Sequence, residues 1–576
     1  MKKFLIVLGV AALCACKKDF LDRLPLSDIT SPAFFNTEKD LDLYVNSFYA
    51  DLPGTEIYSG DISSDNVEPG VISDLIAGRM VVPTSAGDAG WTWTSLRNIN
   101  YFLAHYNKAA ISDSIKANYA GIARFFRAFF YFQKVQRFGD VPWYSQPLEA
   151  NSAELYKARD PRSLVIDSVL ADLDYAAANI KTAKNASRIT KWAALALKAR
   201  VCVFEGTYRI YHTELGLSNG NQLLEKGIAA AQQIMQSGVY KLYSTGKPES
   251  DYGNLFSADA ANTDEYILAR VYDRTLTKTH AANGTFITPT LSAPGLTKSL
   301  VNSYLMKDGT PFSKQPGYAV MPYWEEVKNR DPRLSQTIRT PGYKRIGTNT
   351  TLPPDYSNAM TGYQNIKFVT GTDQDGYNTN SNDLPVFRYA EVLLNYAEAK
   401  AELKQFTQAD ADMSVNLLRS RAGMPPMQVA ALTIDPLLQA QYNISDPVIL
   451  EVRRERRVEL AMEGFRYQDV LRWKRGPLLA ENFKGAYFPG TGTYDLDGDG
   501  KNDLAVVTTM PANPDKSLQY FALQPDHALS EGNSGNIIVH PAANKKFVDP
   551  RQYLYPLPRT ELLLNTNLVQ NPGWEE

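Results

Sequence analysis

Three glutamates, Glu455, Glu459 and Glu463, recur at four-residue steps amid Arg453, Arg454, Arg456, Arg457 and Arg466. Two carboxylates about 5–9.5 Å apart across a cleft are the apparatus of glycoside hydrolysis, and adjacent helical turns can supply that spacing. The arginines argue the other way. A general acid needs its pKa raised, whereas neighbouring guanidinium groups lower it. The pattern therefore reads as a charge lattice holding helices in register, with a glutamate-based hydrolase as the alternative. A second cluster is Asp495, Asp497, Asp499 and Asp503, with Gly500 at the sixth position and Lys501 at the seventh. Calcium takes six to eight oxygens, and four carboxylates plus the Lys501 carbonyl approach that number. Val506 stands at position 12 in place of a glutamate, so the loop is not a full EF-hand. It is expected to hold a structural calcium ion, the alternative being an acidic, glycine-rich turn.

Aromatic residues form the third set. Trp91-Thr92-Trp93 precedes Arg97, Asn98, Asn100 and Tyr101, and Tyr323-Trp324 is a second pair beside Pro322. An indole face is a platform for the C–H surface of a pyranose, while Asn and Arg bond to hydroxyls. Trp91, Trp93, Asn98, Asn100, Tyr323 and Trp324 are thus candidate ligand contacts, with Asp65 and Asn66 as further hydroxyl partners. Trp91 is the stronger platform candidate. For each tryptophan the alternative is burial, and one of Trp91 and Trp93 is expected in the core. The five histidines form no HExxH or other metal-ligand spacing, so zinc chemistry and a His-based triad have little support.

The chain carries 60 basic and 62 acidic residues. No basic stripe suggests a nucleic-acid partner. Met1-Lys2-Lys3 followed by the apolar Phe4–Leu13 run reads as a secretory signal, its core too short to span a bilayer. The tetrad Leu13-Cys14-Ala15-Cys16 resembles a lipobox, where bacterial lipoproteins are cleaved and acylated. Residues 1–15 would then be removed and Cys16 lipidated, anchoring the protein to a membrane outside the cytoplasm. Cys202 is left alone, cannot pair within the chain, and sits in an apolar run as a small core residue.

Helical periodicity dominates the elements that must carry these residues. Tyr119 onward places Ile122, Phe126, Phe129 and Phe130 on one face, and Gly139 and Pro142 end the helix. Further helices are expected over 163–180, 188–208, 223–239, 389–403 and 408–421. Trp192-x2-Leu195 with Ala199, and Leu393, Tyr396 and Ala397 followed by Ala409 and Leu417, fit the tetratricopeptide template loosely. One helix pair cannot cover its own apolar face, so about four pairs must stack. Residues 244–300, 340–385 and 484–548 are polar and read as long irregular loops, which in compact domains are usually functional. The expected fold is mainly α, with tetratricopeptide-like pairs in a right-handed superhelical scaffold and a ligand site on the loops.

Several segments in order resemble the SusD/RagB family of surface nutrient-binding lipoproteins. Cys16-Lys17-Lys18-Asp19-Phe20-Leu21-Asp22 precedes Pro25. Ala123-Arg124-Phe125-Phe126-Arg127-Ala128 leads into Phe138-Gly139-Asp140-Val141-Pro142. Arg330-Asp331-Pro332-Arg333-Leu334, Arg388-Tyr389-Ala390-Glu391, Glu455-Arg456-Arg457, Glu463-Gly464-Phe465-Arg466 and Leu554-Tyr555-Pro556-Leu557-Pro558 follow. The resemblance implies an N-terminal helical region over 16–240 and a C-terminal region over 241–576 with loop insertions. It implies a lipid-anchored cap on the outer face of the outer membrane. That cap binds a glycan without cutting it and passes it to a SusC-like TonB-dependent transporter. It also implies that the Trp91–Tyr101 neighbourhood borders the glycan site, and it requires no cofactor. A peptide ligand on the same architecture is the second reading.

Overall fold

The computed structural model describes residues 34–291 and 294–575. Cys16, the signal over 1–15 and the motif from Lys17 to Pro25 lie outside the described residues.

Helix α1 (Glu38–Phe48) opens on a capping box between Thr37 and Asp40. It packs with α2 (Thr94–His105) against α3 (Asp113–Phe138), whose phenylalanines are its main apolar content. Phe125, Phe126, Phe129 and Phe132 are buried. Phe126 meets Phe48, Phe132 meets Phe204, and Phe125 meets Phe387, so one helix seeds contacts to both halves of the chain. Gly139 ends α3 at φ +74°, the left-handed region a glycine enters without strain. Antiparallel helix hairpins follow: α3 with α4 (Arg162–Asn179), and α5 (Lys191–Tyr211) with α6 (Gly220–Ser237). Close approach in the second hairpin depends on small residues. A Cβ added at Gly227 of α6 would lie 3.1 Å from that of Cys202. Cys202 is a buried core residue, as its surroundings in the sequence indicate, and burial pushes its thiol up to about 12.

Helix α7 (Tyr389–Glu402) packs on α5, α6 and α8 (Pro447–Glu459). The single helix expected over 408–421 is two, Gln408–Asp412 and Val415–Arg421. The break falls at Met413–Ser414, where the Ser414 hydroxyl bonds back to the Asp410 carbonyl and competes with the helix. The stretch 484–548 differs more. It is not irregular throughout but holds two three-stranded sheets. Strands Lys484–Phe488, Gly535–Val539 and His527–Leu529 form one; Gly492–Tyr494, Leu504–Val507 and Gln519–Ala522 form the other. Each strand is three to five residues long, too short for alternation to stand out among glycine-rich turns.

The carboxylates and arginines of α8 and α9 (Arg466–Arg472) are almost all buried. Arg333 reaches Glu455 at 2.6 Å, Glu459 at 2.9 Å and Asp331 at 2.7 Å. Arg388 reaches Glu459 at 2.7 Å, Glu265 at 2.9 Å and Glu463 at 2.6 Å. Arg466 and Arg457 close on Asp65 at 2.6 and 3.1 Å, so the lattice ties the N-terminal segment to α9 across some 400 residues of sequence.

Candidate functional site

The Trp91–Trp93 segment enters α2 through a turn that two cations of α3 hold in place. A short helix, Ala86–Ala89, ends in Gly90 at φ +72°. Lys134 Nζ donates to the Gly90 carbonyl at 2.5 Å and Arg137 Nε to the Ala89 carbonyl at 2.8 Å. Both are cations at the carbonyl end of a helical turn, where that charge is favoured. Burial, with the nearby Arg137 charge, lowers Lys134 to about 8.

This turn sends Trp91 inward and Trp93 outward. Trp91 is 3% exposed and packs edge-on to Phe138, with ring centroids 4.9 Å apart. Trp93 is half-buried and wedged among Trp91, Phe130 and Tyr144, with centroids at 5.2, 5.6 and 5.6 Å. The expected order is thus reversed. One indole of the pair is indeed in the core, but it is Trp91, and Trp93 is the available platform. Trp93 and Tyr144 stand at an interplanar angle of 75° and make an aromatic corner.

The corner lines a cleft of about 380 Å³, within the range of small-ligand sites. Trp91, Trp93, Asn98 and Asn100 all border it, so the structure brings four of the expected residues together. Their roles differ. Asn98 and Arg97 are exposed at its mouth. Asn100 is buried, and its amide is engaged: Nδ2 donates to the Tyr144 carbonyl at 2.9 Å, and Oδ1 accepts from Arg127 at 3.2 Å. It builds the wall carrying Tyr144 and Gln146 and presents little to a ligand. Arg127 is itself fixed on Asp172 by two bonds of 2.6 and 2.8 Å.

The lining also takes in Tyr144, Gln146, Glu561 and Asn565, with Leu148, Leu155 and Leu568 between them, from parts of the chain that the sequence did not connect to the tryptophans. Asn565 Nδ2 donates to the Lys157 carbonyl at 2.9 Å, clamping the C-terminal segment over the cleft edge. Burial raises the Glu561 carboxyl above its ordinary value. An aromatic corner rimmed by Asn, Gln, Glu and Arg offers an apolar face with donors and acceptors at its edge. That pairing suits the C–H face and equatorial hydroxyls of a sugar ring.

Other expected contacts belong elsewhere. Tyr323 is 3% exposed, and its hydroxyl donates to the Arg339 carbonyl at 2.7 Å. Asp65 and Asn66 are buried. Asp65 is the partner of Arg457 and Arg466, and Asn66 bonds Asp61 at 3.0 Å and Arg457 at 2.8 Å. These three are framework residues, because a polar group taken from water must be satisfied internally. Trp324 does not line the cleft; it lies over the aspartate loop, where a Cβ added at Gly498 would sit 3.5 Å from its ring.

In that loop Asp495, Asp497 and Asp503 converge, with a carboxylate oxygen from each within 4.8 Å of the others. Asp495 is held by the main-chain N–H groups of Gly498 and Gly500 at 2.6 and 2.8 Å. Gly498 and Gly500 take φ of +80° and +84°, which is what the curl requires. Asp499 is not part of the cluster and pairs with the Lys501 ammonium at 3.3 Å. The curled loop thus brings together three of the six to eight oxygens that calcium takes, one carboxylate fewer than the four expected.

The three glutamates of α8 and the following turn have no free carboxylate. Glu463 edges a cavity, yet it accepts from Lys367 at 2.6 Å and from Arg388 at 2.6 and 2.7 Å. Burial alone would raise Glu459, but Arg421, Arg388 and Arg333 outweigh it and hold the carboxyl far below the usual range. Such a group has no proton to give to a leaving oxygen.

Comparison with known proteins gives a consistent result. A family model described as SusD family matches residues 264–574, more than half of the chain. A second, described as starch-binding associating with outer membrane, matches residues 19–203. SusD-like protein P2 of Formosa agariphila is 24% identical, with all of both chains covered. SusD-like protein P38 of the same organism is 25% identical over 81% of this chain and 90% of its own. Among solved structures, a SusD-like protein and a SusD-like carbohydrate binding protein, both of Bacteroides fragilis, each superpose with a TM-score of 0.69. They are 22% and 24% identical, cover 96% and 93% of this chain, and are themselves wholly covered.

Proposed function

The chain belongs to the SusD family, and on that premise we propose that it binds a glycan in the cleft at Trp93 without cleaving it. The observation that carries this reading is the Trp93–Tyr144 corner, rimmed by Asn98, Arg97, Gln146 and Glu561. A ring stacked on Trp93 gains apolar contact, and its hydroxyls meet the polar rim. The buried and saturated state of Glu455, Glu459 and Glu463 supports binding without hydrolysis. Lipidation at Cys16 would place the protein on the outer membrane, where its ligand passes to a SusC-like transporter. Affinity is modest, because an open cleft exchanges bound water for few contacts.

The test is isothermal titration of the soluble chain against a panel of polysaccharides and oligosaccharides, with peptides of matched length as a second arm. Saturable binding of one glycan, recovered intact after overnight incubation, supports the reading. Binding confined to peptides, or shortened glycan products, contradicts it.

The loop of Asp495, Asp497 and Asp503 would hold calcium in a structural role, pinning the sheet that contains Leu504–Val507. Removal of the ion with a chelator is expected to lower the melting temperature by roughly 2–3 °C. That is the effect of losing a ligand present at about 100 times its Kd in a chain of this size. Restoration by calcium and not by magnesium completes the test; an unchanged melting temperature contradicts the site.

A further inference from the structure

One face of α3 changes character along its length. Phe126, Phe129, Phe130, Gln133, Lys134 and Arg137 recur at three- and four-residue steps, so they share a side of the helix. Phe126 and Phe129 are buried, Phe130 is half-buried and Gln133 is exposed. This face borders a second cavity, of about 270 Å³, together with Asp51, Thr92 and Ser95.

Two features connect that cavity to the cleft at Trp93. The first is aromatic. Phe130 lies against Trp93 with ring centroids 5.6 Å apart, and Tyr144 lies against Trp93 at the same separation. Tyr144, Trp93 and Phe130 thus form one aromatic run, which borders the cleft at its Tyr144 end and the second cavity at its Phe130 end. The second is the chain itself. Trp91, Trp93 and Thr94 border the cleft, whereas Thr92 and Ser95, interleaved with them, border the second cavity. Thr92 and Thr94 are exposed, so a narrow ridge bearing two hydroxyl groups separates the hollows.

The charged groups of the second cavity are already engaged. Lys134 and Arg137 donate to the Gly90 and Ala89 carbonyls, and Asp51 accepts from the Ser95 hydroxyl at 2.9 Å. Lys134 also covers one face of Phe130 at 4.9 Å, so that ring serves as an apolar wall while Trp93 remains the stacking platform. The neutral groups are free: among the described residues, the side chains of Thr92, Thr94 and Gln133 make no hydrogen bond. An aromatic wall beside free hydroxyl and amide groups repeats the chemistry of the cleft.

We propose that the ligand crosses the Thr92–Thr94 ridge and fills both hollows, so that the protein recognises an oligosaccharide chain and not a single sugar. This extension rests on the Trp93 reading. It gives Phe130 the role of apolar wall in a second subsite, with Thr92 and Gln133 as hydroxyl partners there. A ring held on Trp93 presents its neighbours to that subsite at high local concentration, so contacts too weak to hold a free sugar add to the affinity of a chain.

The experiment uses the glycan that the polysaccharide panel selects, partly hydrolysed in acid and fractionated into disaccharide and hexasaccharide. Each is titrated into the whole chain and into Gln133→Ala. Gln133 is exposed and alanine is a good helix former, so the variant keeps the fold. The wild type is expected to bind the hexasaccharide roughly tenfold or more tighter than the disaccharide. Gln133→Ala weakens the hexasaccharide by roughly three- to tenfold and leaves the disaccharide unchanged. Hydroxyl-radical footprinting adds a second readout, with Phe130 protected by saturating hexasaccharide and not by saturating disaccharide. Equal affinities for the two lengths, equal losses in Gln133→Ala, or Phe130 oxidised alike with both overturns the extension and leaves the Trp93 reading standing. Binding of no panel glycan sinks both.

Discussion

Trp93→Ala weakens glycan binding by roughly 30- to 300-fold, the equivalent of about 2–3.5 kcal/mol, as for a central aromatic anchor. The platform is lost, and so is the pressure that Trp93 exerts on Tyr144 across the corner. Trp324→Ala is the matched control. That indole lies over the aspartate loop and not in the cleft, so its removal leaves affinity within twofold, about the scatter of a neutral change. Asn98→Ala falls between, because it removes one exposed hydroxyl partner worth about 0.5–1.5 kcal/mol. Titration of the three variants with the same oligosaccharide separates the two aromatic positions. Equal losses for Trp93→Ala and Trp324→Ala would mean that the ligand lies elsewhere.

Glu459→Ala costs at least about 3–5 kcal/mol of stability, the typical loss when one partner of a buried ion pair is deleted. Here the consequence is larger than for a simple pair. Glu459 is fully buried and serves Arg333, Arg388 and Arg421, so its removal leaves three guanidinium groups short of countercharge. Total stabilities run to only about 5–15 kcal/mol, so the variant is expected to unfold at a much lower denaturant midpoint or fail to accumulate folded. Glu459→Gln keeps the shape and loses the charge, and falls between. The pH dependence has a definite sign. Glu459 is held below its unfolded value, so its contribution is complete above about pH 4.5 and declines as pH falls toward the folded pKa. The wild-type midpoint therefore falls on acidification more steeply than that of Glu459→Gln. Equilibrium denaturation at pH 7 and pH 4 measures both. A midpoint unchanged in Glu459→Ala would show that the lattice is not what holds the halves together.

The helical frame was legible because its faces are unambiguous. The phenylalanines of α3 fix its phase, and α4 to α7 begin and end within a few residues of the positions their periodicity indicates. The break at Met413–Ser414 was not legible, since a local serine-to-carbonyl bond leaves the apolar spacing intact. Nor were the two small sheets, whose strands are only three to five residues long and of which Gly535–Val539 pairs with the distant Lys484–Phe488. Within the site, the clustering of Trp91, Trp93, Asn98 and Asn100 pointed to the right neighbourhood. Which indole faces outward did not follow, because that is decided by Phe138, contributed by the far end of α3. Tyr144, Gln146, Glu561 and Asn565 were beyond reach for the same reason: they arrive from distant segments and carry no local signature. Asp65, Asn66 and Tyr323 look like free polar groups until their partners on α9, on α8 and at Arg339 are in place.

The most direct test of glycan capture at the corner is hydroxyl-radical footprinting of the whole chain with and without a saturating oligosaccharide identified by titration. Protection concentrated on Trp93 and Tyr144, with the sugar recovered intact, is the predicted result. Protection confined to Trp324 or to the surface far from the cleft, with Trp93 oxidised equally in both states, would contradict it.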